Sequence, residues 1–150
     1  MALKPDRIEA YTDISFFMNE TGERGGIVVH VSGGSGVSMD DANAVVEYAA
    51  NQSGTNPAGL LLNDVVNLDL TRQHINWHRD EVQIGSKVTL LRQGQVTTNV
   101  VSGTPTIGAA AYYGVDGVLT PTALVGSTKV GRFLSTLDAD GYVKVDINIT

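Results

Sequence analysis

The side chains best suited to chemistry gather between residues 69 and 83, where Arg72, His74, Trp77, His78, Arg79, Asp80 and Glu81 follow one another closely. His74 and His78 are four residues apart, so on a helix their imidazoles would share a face and could hold a metal ion. A zinc peptidase of the HExxH type needs a glutamate directly after the first histidine as its general base, and Ile75 stands there. No third ligand is evident, although Asp80 and Glu81 are near. The other reading is a packed loop whose polar groups bond to one another, and no metal is assigned. Asp69, Arg72, Arg79, Asp80 and Glu81 surround the only tryptophan. Such paired charges beside an aromatic form either a fold-stabilising network or an interface patch. Both readings stay open.

Other patterns point away from catalysis. Gly33-Gly34-Ser35-Gly36 follows a strand-like run, but no GxGxxG is completed and no Walker lysine follows, so it reads as a turn. Gly126-Ser127-Thr128-Lys129 has Thr and Lys in the reverse of the P-loop order and lacks the first glycine. Asp138-Ala139-Asp140-Gly141 resembles the start of a calcium loop, but the twelfth position is Ile149, so a hairpin turn is the better reading. No serine lies in a GxSxG context. The chain has no cysteine, which excludes disulfides, thiolate-ligated metals and thiol catalysis. No catalytic residue and no cofactor is assigned, and the protein is not expected to be an enzyme.

Charge narrows the partners. The 150 residues carry a net charge of −6, most of it within residues 1–50. There is no basic cluster, so neither nucleic acid nor an anionic membrane is an expected partner. No apolar run reaches the length of a spanning helix. No apolar h-region follows the N-terminus, so a Sec-type signal peptide is not expected.

The elements that must position these residues read as strands. Valine and threonine are abundant and glycine is frequent, with 17 residues. Ile27 to Val31, Leu60-Leu61-Leu62, Lys87 to Leu91, Gln95 to Val101, Ile107 to Tyr113 and Lys129 to Leu134 are strand-like runs. Arg92-Gln93-Gly94 between two of them predicts a hairpin. Residues 38–50 are open to two readings, a helix capped at Ser38 with Asp41 at its third position or a turn followed by a strand at Ala44 to Tyr48, and the neighbouring strands favour the second. The last element is the clearest: Val143, Val145, Ile147 and Ile149 alternate with polar residues, giving the period two of a half-buried strand. Short strands with turn signals about every ten residues indicate an all-β fold, a small β-barrel or β-sandwich body. Residues 1–25 read as an extended N-terminal arm and 26–150 as the β-rich domain. Tyr11, Phe16 and Phe17 lie in a segment too short to bury them alone, so they dock either on the body or on a partner.

One family resemblance extends this reading. It rests on Pro57 to Val66, on Asp69 to Asn76, on Asp80-Glu81-Val82, on Gly85 to Val88 and on Arg92-Gln93-Gly94. Gly131 to Leu134 and Asp138 to Val145 add to it. Over roughly residues 25–149 the chain resembles head decoration (cement) proteins of tailed bacteriophages. The resemblance implies a small β-rich, β-tulip-like body that binds the outer face of the expanded capsid and clamps neighbouring major capsid protein subunits. It implies a homo-oligomer, a trimer first among the options, assembled in the host cytoplasm and carried on the virion. Tyr11, Phe16, Phe17, Arg72, His74, Trp77, His78 and Arg79 are the candidate capsid or subunit contacts. The alternatives are another phage β-barrel part (a tail tube or head–tail connector protein), a metal protein centred on His74 and His78, and a carbohydrate-binding sandwich using Trp77.

Overall fold

A computed structural model describes residues 2–31, 44–64, 81–82 and 84–149, the side chains of Asp64 and Glu81 excepted. The strands in chain order are β1 (Ile8–Met18), β2 (Gly22–Glu23), β3 (Ile27–Val31), β4 (Val45–Glu47), β5 (Pro57–Asp64) and β6 (Glu81–Val82). They continue with β7 (Lys87–Thr98), β8 (Ala110–Tyr113), β9 (Leu119–Thr120), β10 (Lys129–Phe133) and β11 (Val143–Asn148). A single 3-10 turn at Val115–Gly117 is the one helical element among the described residues. The expected all-β class is what the chain adopts.

Strand order explains the two long apolar runs. The main sheet runs β1-β4-β3-β5-β7-β11-β10-β8-β9, and β1 also pairs with β7. That extra pairing closes β1, β4, β3, β5 and β7 into a five-stranded ring, from which β11, β10, β8 and β9 extend as a second sheet. In so small a ring, side chains fill the interior. Met18, Val28, Val46, Ala58, Leu61, Val88 and Leu90, drawn from all five strands, form one buried cluster. Ile27, Val29, Leu60, Leu62 and Leu91 turn the other way and pack with Val130, Phe133, Val143, Val145 and Ile147 of the second sheet. Strands β3 and β5 therefore bury both faces, which is why their sequences are continuous apolar runs rather than alternations. Strand β11 has only one buried face, formed by Val143, Val145 and Ile147, with Ile149 buried just beyond the strand, as the alternation required.

The expected arm is extended but not free. Residues 8–17 of β1 pair antiparallel with β7, and Phe17 and Met18 pair parallel with β4. Ahead of β1, the Lys4 amide donates to the Thr97 carbonyl at 2.9 Å, and the Asn99 amide to the Ala2 carbonyl at 3.0 Å. The leading segment thus lines β7 along its whole length.

The hairpin expected at Arg92-Gln93-Gly94 is not formed. Instead β7 runs unbroken through these residues, because other strands hold both edges there: Gly94 pairs with Glu9 on one side and Ile147 on the other. Gly94 has φ 151°, and a Cβ there would lie 2.1 Å from the Ile8 carbonyl oxygen. Glycine thus marks a close approach inside a strand rather than a turn. The turn at Asp138 to Gly141 does form. The Gly141 amide donates to the Asp138 carbonyl at 3.1 Å, and Asp138 Oδ1 accepts the Asp140 and Tyr142 amides, each at 2.9 Å.

One aromatic seals an end of the ring. Tyr48 lies against the backbone of Gly22, Gly26 and Gly117, where added Cβ atoms would approach its ring to 2.7, 2.8 and 2.6 Å. Its hydroxyl donates to the Glu23 carbonyl and its amide to Glu20 Oε1. Burial raises the Glu20 pKa above the usual carboxylate value, and the nearby Glu47 and Asp116 add to the rise.

Gly94→Ala should cost about 3 kcal/mol, from a disfavoured φ together with a backbone collision. Gly141→Ala, also at positive φ but with no atom within 4 Å of the new Cβ, should cost only about 1 kcal/mol. Urea denaturation of the two variants checks the difference.

Candidate functional site

Strand β1 offers the most unusual surface. Ile8, Tyr11 and Ile14 are 58%, 51% and 54% exposed, although strands normally turn large apolar residues inward. Among the described residues, positions 8–16 have a strand partner on one side only, β7. Three register shifts, at Glu9/Tyr11, Tyr11/Thr12 and Asp13/Phe16, interrupt this pairing. Bulges of this kind twist an edge and discourage indiscriminate strand addition. What β1 presents is therefore a row of side chains rather than a bare ladder.

The row is held in place from behind. Arg92, in the middle of β7, donates from Nε to the Ile149 carbonyl at 3.3 Å. Its Nη1 lies 3.9 Å from Asp13 Oδ2, and its Cζ sits 5.8 Å from the Tyr11 ring centre. Asp13 also accepts the Ser15 amide at 2.8 Å and the Ser15 hydroxyl. Arg7 and Glu9 form an ion pair at 2.6 Å. One guanidinium thereby links β1, β7 and the end of β11.

The three aromatics named from the sequence divide. Tyr11 is exposed on the row. Phe16 is half-buried, packs on the ring's inner cluster and meets the His30 ring at 5.4 Å between centroids. Phe17 is half-buried, with Lys87 Nζ 5.9 Å from its ring centre. Arg72, His74, Trp77, His78 and Arg79 lie outside the described residues. Ile8 and Ile14 were missed by sequence reasoning. Neither is aromatic or charged, and the irregular register of β1 leaves no regular alternation in the sequence that would mark them as outward-facing.

Comparison with known protein families adds to this geometry. Residues 6–148 match the family described as "Structural cement protein (E217 gp24/Pam3 gp6)". The chain belongs to the phage structural cement protein family. No curated protein matches the sequence. As a cement protein it is a structural component of the phage capsid and associates with capsid proteins. The match begins before β1, so the row-bearing strand belongs to the shared family region and not to an appendage.

A second feature of this cement protein lies where ring and second sheet meet. A cavity of about 370 Å³ is lined by His30, Asn56, Pro57, Arg92, Thr128, Lys129, Asn148 and Ile149. Partial burial holds the His30 imidazole below its usual pKa, and the Arg92 guanidinium lowers it further. Among the described residues, no group of three or more histidines and carboxylates is arranged to hold a metal ion.

A histidine with a depressed folded-state pKa contributes stability that is present above its ordinary 6.5 and is lost as pH falls through the lower folded value. An NMR titration should therefore place the His30 midpoint below 6.5. Arg92→Met should raise that midpoint only part of the way, because burial is the larger cause. A midpoint at or above the ordinary value would contradict this environment.

Proposed function

We propose that the protein binds the outer surface of the expanded capsid and holds neighbouring major capsid protein subunits together, with the Ile8–Tyr11–Ile14 row as a principal contact. The observation that carries this reading is that row: three large apolar side chains left in water on a strand braced by β7, in a member of a capsid cement family. Apolar side chains clustered on a rigid element are the usual anchors of an interface, since little ordering entropy is lost when they dock.

In this reading the chain works as two cooperating parts. Residues 26–150 form the β-rich body, and residues 1–25 form a strap laid on it whose outward side chains meet the capsid. Phe16 and Phe17 fix the strap to the body, and Tyr11 is left for the partner. The working form is a homo-oligomer, a trimer first, because an oligomer touching several subunits converts weak contacts into firm attachment. Assembly takes place in the host cytoplasm, and the protein performs no catalysis.

Co-sedimentation with heads stripped of this protein tests the reading. Saturable binding to expanded heads, and none to unexpanded heads, is expected. A variant carrying Ile8→Ser, Tyr11→Ser and Ile14→Ser should keep its circular dichroism spectrum and lose about tenfold or more in affinity. Absence of binding to either head form would overturn the function. Undiminished binding by the folded triple variant would overturn the role of β1.

A further inference from the structure

The cavity at the seam of the ring and the second sheet is a charged feature that the β1 row does not use. Its wall combines the basic residues Arg92 and Lys129 with His30 and the polar residues Asn56, Thr128 and Asn148. Among the described residues, no aspartate or glutamate lines it. That is notable in a chain with 16 acidic residues against 10 basic ones. Lys129 is exposed and makes no ion pair among the described residues. Asp13, the carboxylate paired with Arg92 among the described residues, is 3.9 Å away and does not line the cavity. Arg92, Lys129 and several polar residues thus line a space large enough for a side chain, and none of the described residues lining it is acidic. Groups of this kind recognise a carboxylate by charge and by multiple hydrogen bonds.

We infer that this cavity receives an acidic side chain presented by the capsid surface, as a polar contact separate from the apolar row of β1. The inference rests on the capsid-binding reading above. It divides the attachment into an apolar part, which supplies affinity, and a charged part, which supplies orientation and registry.

Two experiments separate the inference from the reading beneath it. In co-sedimentation with stripped expanded heads, Lys129→Glu should weaken binding about tenfold or more, through like-charge repulsion. Lys129→Arg should bind like the unmodified protein. Lys144→Glu makes the same change in net charge outside the cavity and should alter binding by less than about twofold. An unchanged Lys129→Glu, or equal losses for both glutamate variants, would overturn the inference. The second experiment needs no capsid. An NMR titration of the unmodified protein with a blocked diglutamate peptide should move the amide signals of Thr128, Lys129 and Asn148, and Lys129→Glu should abolish those shifts. Shifts in this titration without any binding to heads would support the cavity's chemistry and sink the capsid reading alone. Unmoved signals with the peptide, or shifts produced by inorganic phosphate and not by the peptide, would overturn the carboxylate assignment.

Discussion

Strand β7 must satisfy three neighbours at once, and the rest of the molecule follows from that requirement. Its first half pairs with β5, its second half with β11, and β1 runs along its opposite edge past the point where those two meet. A ladder held on both edges cannot relax sideways, so the crowding at the junction is relieved where a side chain is missing, at Gly94. Because β7 belongs both to the ring and to the second sheet, its residues divide between two cores. Val88 and Leu90 point into the ring, and Leu91 and Val96 point into the layer between ring and sheet. Each core is fixed relative to the other through one continuous backbone.

This arrangement suits a structural protein. Among the described residues, every buried side-chain nitrogen or oxygen has a hydrogen-bond partner. Tyr113, fully buried, places its hydroxyl on Thr55, 2.7 Å from Oγ1 and 3.2 Å from the carbonyl. Such satisfied polar contacts fix one packing among the many that apolar surfaces alone would tolerate. If the β1 row docks as proposed, a strand already paired along β7 would cost little further ordering.

Much of the fold was legible because local pattern and tertiary role agree. The alternation of Val143, Val145, Ile147 and Ile149 shows a strand with one wet face, and Ile27-Val28-Val29 and Leu60-Leu61-Leu62 show strands with none. Legibility fails where long-range pairing decides. Arg92-Gln93-Gly94 has the composition of a turn, and only β1 and β11, far away in sequence, hold it straight. Residues 8–18 look like an arm because their bulges destroy the period of a strand. The site follows the same rule. Tyr11 was visible as an aromatic with nowhere local to go. Ile8 and Ile14 were not, and the convergence of Arg92 with Lys129 leaves no trace in either local sequence.

The central proposal is that this cement protein turns β1 toward the capsid, with the seam cavity engaged as well. A cryo-EM reconstruction of stripped, expanded heads decorated again with the purified protein tests this most directly. Ile8, Tyr11 and Ile14 should lie against the major capsid protein, out of solvent. A map in which β1 faces outward into solvent, while another face of the body meets the capsid, would contradict it.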